Sequence, residues 1–176
     1  MKTKDIKGRM RAYFFLHPTI KLRVRHIERE VKVPLPSVIR YTKELEKEDI
    51  LKHSEIAGVI TYSAERTSPK FLLQKKLFNL QQLFASGIVD FLVQELSNPT
   101  LILFGSYSRG EDTEESDIDI YIETPIFKNL KLEKFERFLQ RKIQIFTYKN
   151  IHAVENKDLA NNIINGITLN GFCEVF

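Results

Sequence analysis

The chain has a single cysteine, Cys173, so no disulfide can form within it, and a reducing, cytoplasmic setting is expected. Long apolar runs are missing too. No stretch approaches the roughly 18 apolar residues of a membrane-spanning helix, so no membrane partner is expected. Histidine is scarce: His17, His26, His53 and His152 lie far apart, without the paired spacing of a zinc site. The opening stretch, MKTKDIKGRMRAYFF, has no apolar core followed by a small-residue cleavage site, so no secretory signal is expected. Internal repeats and low-complexity tracts are absent. These gaps argue against a disulfide-stapled secreted domain, a zinc-ligand domain and a membrane protein.

What remains is ordinary globular composition. The 176 residues are 43% hydrophobic, enough for one or two compact domains. Charged residues reach 28% with mixed sign, which is not a disordered composition. The net charge of +4 is unevenly spread. Residues 1–66 hold 15 Lys and Arg against 9 Asp and Glu, whereas residues 67–176 hold 12 against 14. The first segment is suited to a polyanion, and the second to cations.

The first segment reads as helices followed by a hairpin. Residues 5–16 predict a helix with Met10, Tyr13, Phe14 and Leu16 on its apolar side. His17-Pro18 ends it, because proline disfavours helix in the residue before it. Residues 23–31 predict a second helix, with Val24, Ile27 and Val31 at helical spacing. Residues 36–48 predict a third, with Pro36 or Ser37 suited to its start and Val38 and Leu45 in the core. Gly58 separates two β-rich runs and predicts a hairpin turn. Residues 5–66, and VPLPSVIRYTKELEKEDILKH in particular, resemble a winged helix-turn-helix domain of bacterial and archaeal regulators. Many such domains have glycine where Asp49 stands. The resemblance implies DNA as a partner, with Ser37, Arg40 and Lys43 on the exposed side of the third helix. The plainer reading of Arg40 is a solvated surface residue, and of Tyr41 core packing.

Thr67-Ser68-Pro69 predicts a boundary. Residues 70–84 predict an amphipathic helix with Leu73, Leu77, Leu80 and Phe84 along one side, suited to bridging domains or forming a homodimer. A helix over 88–96 follows, stopped by Asn98-Pro99. Strands are expected over 101–104, 117–123 and 142–148, and helices over 131–140 and 156–165. The expected fold is α+β. Its domains are residues 1–68, connecting helices over 69–97, and a mixed α/β sheet domain over 98–176.

The chemistry is concentrated in LILFGSYSRGEDTEESDIDIYI, residues 101–122. Asp117 and Asp119 stand one residue apart in a strand, so both carboxylates share a face, about 6.6 Å apart, while Ile118, Ile120 and Ile122 face a core. Paired carboxylates repel unless a cation lies between them. Hard oxygen donors of this kind suit Mg²⁺ or Mn²⁺ completed by a phosphate-bearing substrate. Gly105 permits a tight turn and close approach of a ligand to the backbone. Ser106 and the N–H groups after it are placed for phosphate oxygens, or for capping a helix, and the two roles are compatible. Arg109 is suited equally to a phosphate and to an ion pair with Glu111 or Asp112.

Gly-Ser, ten residues, then Asp-x-Asp resembles the signature of the DNA polymerase β-like nucleotidyltransferase superfamily. The finer pattern GS-x-x-RGE with SDID resembles its minimal nucleotidyltransferases, over roughly residues 88–176. The resemblance implies transfer of a nucleoside monophosphate from a nucleoside triphosphate to a protein or small-molecule hydroxyl. Asp117 and Asp119 would hold the metal, and Gly105, Ser106 and Arg109 would contact the nucleotide. It also implies, through relatives that are antitoxins, a partner of the HEPN type. In this family a later strand supplies a third carboxylate. Here that strand is Lys142-Ile143-Gln144-Ile145-Phe146, with Gln144 at the expected position. An amide can ligate a metal but is neither charged nor a base. Glu123 is a poor substitute at about 13 Å along the strand; Glu155 and Asp158 lie further on. Two readings follow: an active transferase, or a DNA-binding regulator whose transferase-like domain binds nucleotide without catalysis.

Overall fold

The computed structural model describes residues 5–175. Residues 1–4 and 176 lie outside it, including the start of MKTKDIKGRMRAYFF, where no secretory signal is expected. The chain divides into two compact units, Met1–Phe78 and Asn79–Phe176.

In the first unit, α1 (Ile6–Leu16) begins where the Asp5 carboxylate accepts a hydrogen bond from the Gly8 amide at 2.7 Å. That contact satisfies a donor the helix cannot. The helix buries Met10, Phe14 and Phe15; Tyr13 and Leu16 are only partly covered. Helix α2 (Val24–Val31) buries Ile27 and Val31. Helix α3 (Leu35–Lys47) starts one residue earlier than the sequence suggests, with Pro34 in the N-cap position and no side-chain cap. Val38 and Leu45 are fully buried, as expected.

The end of α3 turns at Asp49. Asp49 has φ +58°, a left-handed conformation. Glycine adopts it freely, and aspartate at modest cost. The Ile50 amide donates back to the Leu45 carbonyl at 2.9 Å and closes the helix. Strands β1 (Leu51–Ile56) and β2 (Val59–Ala64) then pair antiparallel. Ala57 and Gly58 both take positive φ, as a two-residue hairpin turn requires. Leu22 bridges Tyr62 at the hairpin's side.

Helix α4 (Pro69–Ala85) spans the expected amphipathic helix. Leu73, Leu77 and Phe84 lie exposed, while Phe71, Lys75, Asn79 and Leu83 are buried. Apolar residues occupy several sides of this helix, so spacing alone does not identify the covered one. Phe71 packs edge-on against Phe15 at 5.3 Å in the first unit's core.

The second unit is built on a sheet of order β5-β4-β3-β6. Its strands are β3 (Thr100–Phe104), β4 (Ile118–Glu123), β5 (Ile143–Tyr148) and β6 (Ile167–Asn170). The β3 strand runs antiparallel to β4 and β6, and β4 runs parallel to β5. The β6 strand was not among those expected from the sequence. On one sheet face Leu101, Leu103, Ile118, Ile120 and Ile122 pack with Ile88 and Leu92 of α5 (Ile88–Glu95) and with Phe135 and Leu139 of α7 (Glu133–Leu139). Each fully buried isoleucine is worth about 1.5–3 kcal/mol relative to an exposed one. On the other face Ile102, Phe104 and Tyr121 pack with Ile163 of α8 (Lys157–Ile164) and with Ile151 and Val154. The fold is mixed α+β. Among the described residues no helix is long and apolar enough to cross a membrane.

Candidate functional site

The strand β3 ends at Phe104 and turns at once into the short helix α6 (Gly105–Arg109). Gly105 sits at the joint with φ +73°. A Cβ there would lie 2.3 Å from Oδ2 of Asp119. Two independent constraints therefore require glycine: a left-handed backbone and the carboxylate lying across it. The Gly105–Asp119 proximity brings the start of the motif against its end.

Asp119 lies on β4, half-buried, while Asp117 is exposed and stands just before the strand rather than in it. Ile118, Ile120 and Ile122 are fully buried between and beyond them, as the alternation predicts. Neither carboxylate makes a hydrogen bond or a close ion pair among the described residues. Burial first, and then the Asp117 charge, push the Asp119 carboxyl above its ordinary value; the Arg109 guanidinium partly offsets this. Arg109 itself forms an ion pair with Glu111 at 2.6 Å, both about half exposed. Ser106 is partly exposed inside the first turn of α6. The N-cap position belongs to Phe104, with no side-chain cap, so the capping role expected of Ser106 is not seen.

Gln144 is the in-register neighbour of Asp119 across β4 and β5. It is exposed. Glu123 lies at the far end of β4 and accepts the Tyr121 hydroxyl at 2.9 Å. Glu155 and Asp158 are exposed beyond the sheet. Among the described residues no three acidic, histidine or cysteine side chains converge as metal ligands.

The loop carrying the acids is anchored by a buried polar cluster that has no local sequence signal. Asn79 donates to the Tyr107 carbonyl at 2.9 Å and to the Asp112 carboxylate at 2.7 Å. Arg141 reaches Asp112 at 3.9 Å, with both side chains at most 5% exposed. Burial drives the Tyr107 hydroxyl pKa strongly upward, so it stays neutral. Asp112 sits within the acidic run Glu111–Glu115, yet it is 1% exposed. Beside Asp117 a cleft of about 490 Å³ opens between the acidic turn, with Glu115 and Ser116, and the α7 side, with Glu133 and Arg137.

In the first unit Arg40 is exposed and paired with Glu44 at 2.8 Å, which also binds Lys7 at 3.1 Å. Its guanidinium lies 5.2 Å from the Tyr41 ring centre. Lys43 is exposed at a shallow hollow of about 400 Å³ with Glu46, His53 and Tyr62. Ser37 is partly exposed two residues into α3.

Residues 85–167 match the Nucleotidyltransferase domain family. Two proteins of Methanocaldococcus jannaschii, both provisionally named protein adenylyltransferase, are similar to the chain. The first is 45% identical over 60 residues, which is 30% of this chain and 60% of that protein. The second is 34% identical over 67 residues, covering 35% of this chain and 72% of that protein. The chain belongs to the nucleotidyltransferase family. The family assignment places the Gly105–Asp119 motif, α6, β3, β4 and β5 inside the matched region. Residues 5–66 lie outside it.

Proposed function

We propose that the second unit transfers a nucleoside monophosphate from a nucleoside triphosphate to a hydroxyl on a protein or a small molecule. The observation that carries this is the Asp119 carboxylate lying across Gly105, with Asp117 two residues away and, among the described residues, no cation paired to either. Two close carboxylates, one with a raised pKa, are a poor arrangement by themselves and a good one around Mg²⁺ or Mn²⁺. The donor set therefore fits a divalent metal, held by Asp117 and Asp119. The ion would offset charge on the phosphates and polarise the reacting phosphorus.

The chain's own groups do the rest. Gly105 keeps the backbone open beside the carboxylates. The Ser106 hydroxyl and nearby amides hold phosphate oxygens, and Arg109 exchanges Glu111 for phosphate. The cleft beside Asp117 admits the acceptor. Its oxygen forms a bond to the α-phosphorus, the bond to the bridging oxygen breaks, pyrophosphate departs, and the acceptor proton passes to solvent. The names of the two relatives support a protein hydroxyl as acceptor. An antitoxin-like role acting on a HEPN-type partner is consistent with that chemistry.

The test is incubation of the full chain with labelled triphosphates, Mg²⁺ and candidate acceptor proteins, beside the Asp117→Asn/Asp119→Asn double variant. Label transfer that the double variant loses supports the proposal. Equal labelling of both, or none with any nucleotide, removes it.

A second reading is favoured by a specific observation, the in-register pairing of Gln144 with Asp119. In it, residues 1–68 are a winged helix that binds DNA through Ser37, Arg40 and Lys43. Residues 69–97 connect it to a nucleotidyltransferase-like domain over 98–176, which binds nucleotide without turning it over. A homodimer through the exposed side of α4 belongs to the same reading. Support comes from the order α1, α2, α3, β1, β2 and from the basic balance of residues 1–66. A gel-shift series over salt tests it, because phosphate contacts weaken steeply as salt rises.

A further inference from the structure

Asp119 has an in-register neighbour on each flanking strand: Phe104 on β3 and Gln144 on β5. Residues in register on adjacent strands project to the same sheet face. Positions 104 and 144 are therefore where a further donor beside Asp119 would come from. Phe104 is buried and apolar, and Gln144 is exposed and polar. The next acid on the same face of β4, Glu123, is four residues away and already accepts the Tyr121 hydroxyl. Among the described residues no third acidic, histidine or cysteine side chain joins Asp117 and Asp119.

Charge decides what this donor set can hold. Two carboxylates neutralise one divalent ion. A second ion would add two further positive charges, met on the protein side by an amide oxygen that carries no negative charge. Ions bridged in a two-metal site sit about 3.5–4 Å apart and repel strongly unless shared anionic ligands lie between them.

We propose that this site holds a single divalent cation and that Gln144 sets that limit. A carboxylate at position 144 would admit a second ion beside the first. The proposal rests on the reading of Asp117 and Asp119 as metal-holding carboxylates. It makes Gln144 a brake on turnover that leaves nucleotide binding intact. Because Gln144 is exposed at the sheet's edge, exchanging it for aspartate or glutamate is compatible with the fold.

Electron paramagnetic resonance of the full chain with Mn²⁺ and α,β-methylene-ATP tests it. Two manganese ions at bridging distance give a spin-coupled spectrum, and a lone ion does not. The wild-type chain is expected to show uncoupled, protein-bound Mn²⁺ alone. Gln144→Asp is expected to gain the coupled signal and to raise nucleotidyl transfer from ATP at least about tenfold, ~1.4 kcal/mol of barrier. A coupled pair in the wild-type chain overturns the proposal. So does a folded Gln144→Asp variant that stays uncoupled. Should that variant fail to fold, the wild-type spectrum and Gln144→Glu decide. Protein-bound Mn²⁺ that survives in the Asp117→Asn/Asp119→Asn variant, or no bound Mn²⁺ at all, refutes the underlying metal site instead.

Discussion

The exposed side of α3 and the β3–α6–β4 motif both present charge, and they treat it in opposite ways. On α3, Arg40 is paired with Glu44, which also takes Lys7, so the cation is already neutralised by the protein. In the motif, Asp117 and Asp119 lack such a partner among the described residues. Burial and mutual repulsion raise the Asp119 pKa. An exposed ion pair contributes little and costs little to break. A half-buried carboxylate beside another carboxylate is an unfavourable arrangement that a ligand relieves. The contrast teaches that uncompensated charge is a stronger pointer to function than abundance of charge, even though residues 1–66 carry the larger net balance.

The largest effect should come from removing the uncompensated charge. Asp117→Asn with Asp119→Asn is expected to lower transfer at least ~100-fold, because outer-shell changes alone cost 10–100-fold at metal sites. Arg40→Ala, by contrast, should leave transfer unchanged. Equal losses from both variants would erase the distinction between the two regions.

Next in size are effects on folding. Gly105→Ala forces a Cβ into a left-handed backbone and against the Asp119 carboxylate. It is expected to cost about 1–3 kcal/mol, read by denaturant unfolding. Asn79→Ala should cost a similar ~1–3 kcal/mol, because buried Asp112 loses a donor. Arg40→Ala breaks only an exposed ion pair, so its cost in stability should be small beside these.

The ranking shows what was legible in the chain. Alternation of Ile118, Ile120 and Ile122 against Asp119 specified β4, since burial on one face demands that period. The resemblance implies a third carboxylate at the position of Gln144, and the register sets Gln144 beside Asp119. The Asn79–Asp112–Arg141 cluster was not legible. Its members are separated by tens of residues, and nothing local distinguishes a buried aspartate from the solvated acids around it. The β6 strand was missed because its four residues are short and partly polar, and its pairing with β3 is non-local.

Acid should distinguish the regions more gently. Asp119 binds a proton more tightly in the folded chain than in the unfolded one. Its contribution to stability is therefore present below the ordinary aspartate pKa and is lost as pH rises through the raised value. Two consequences follow. Mn²⁺ affinity, measured by calorimetry, should fall as pH drops through that raised pKa, because the ion needs the carboxylate ionised. Asp119→Asn should melt slightly higher than the wild-type chain at neutral pH, since it removes a charge held in an unfavourable place. A lower melting temperature, with metal absent throughout, would show that the charge is already compensated.

The smallest effect belongs to α3 and concerns DNA. If Arg40 meets a phosphate, it must first leave Glu44, so much of the contact's energy is offset by the pair it breaks. Arg40→Ala should reduce the slope of log affinity against log salt by about one unit, with only a modest loss of affinity at any one salt. Glu44→Ala should do the reverse, freeing Arg40 and tightening binding, while Lys7 keeps its pair with Glu48 at 2.6 Å. An Arg40→Ala variant with an unchanged salt slope would leave Arg40 as a solvated half of a surface pair. The charge on α3 would then be wholly accounted for within the protein, and the carboxylates of the motif would stand as the stronger sign of a ligand.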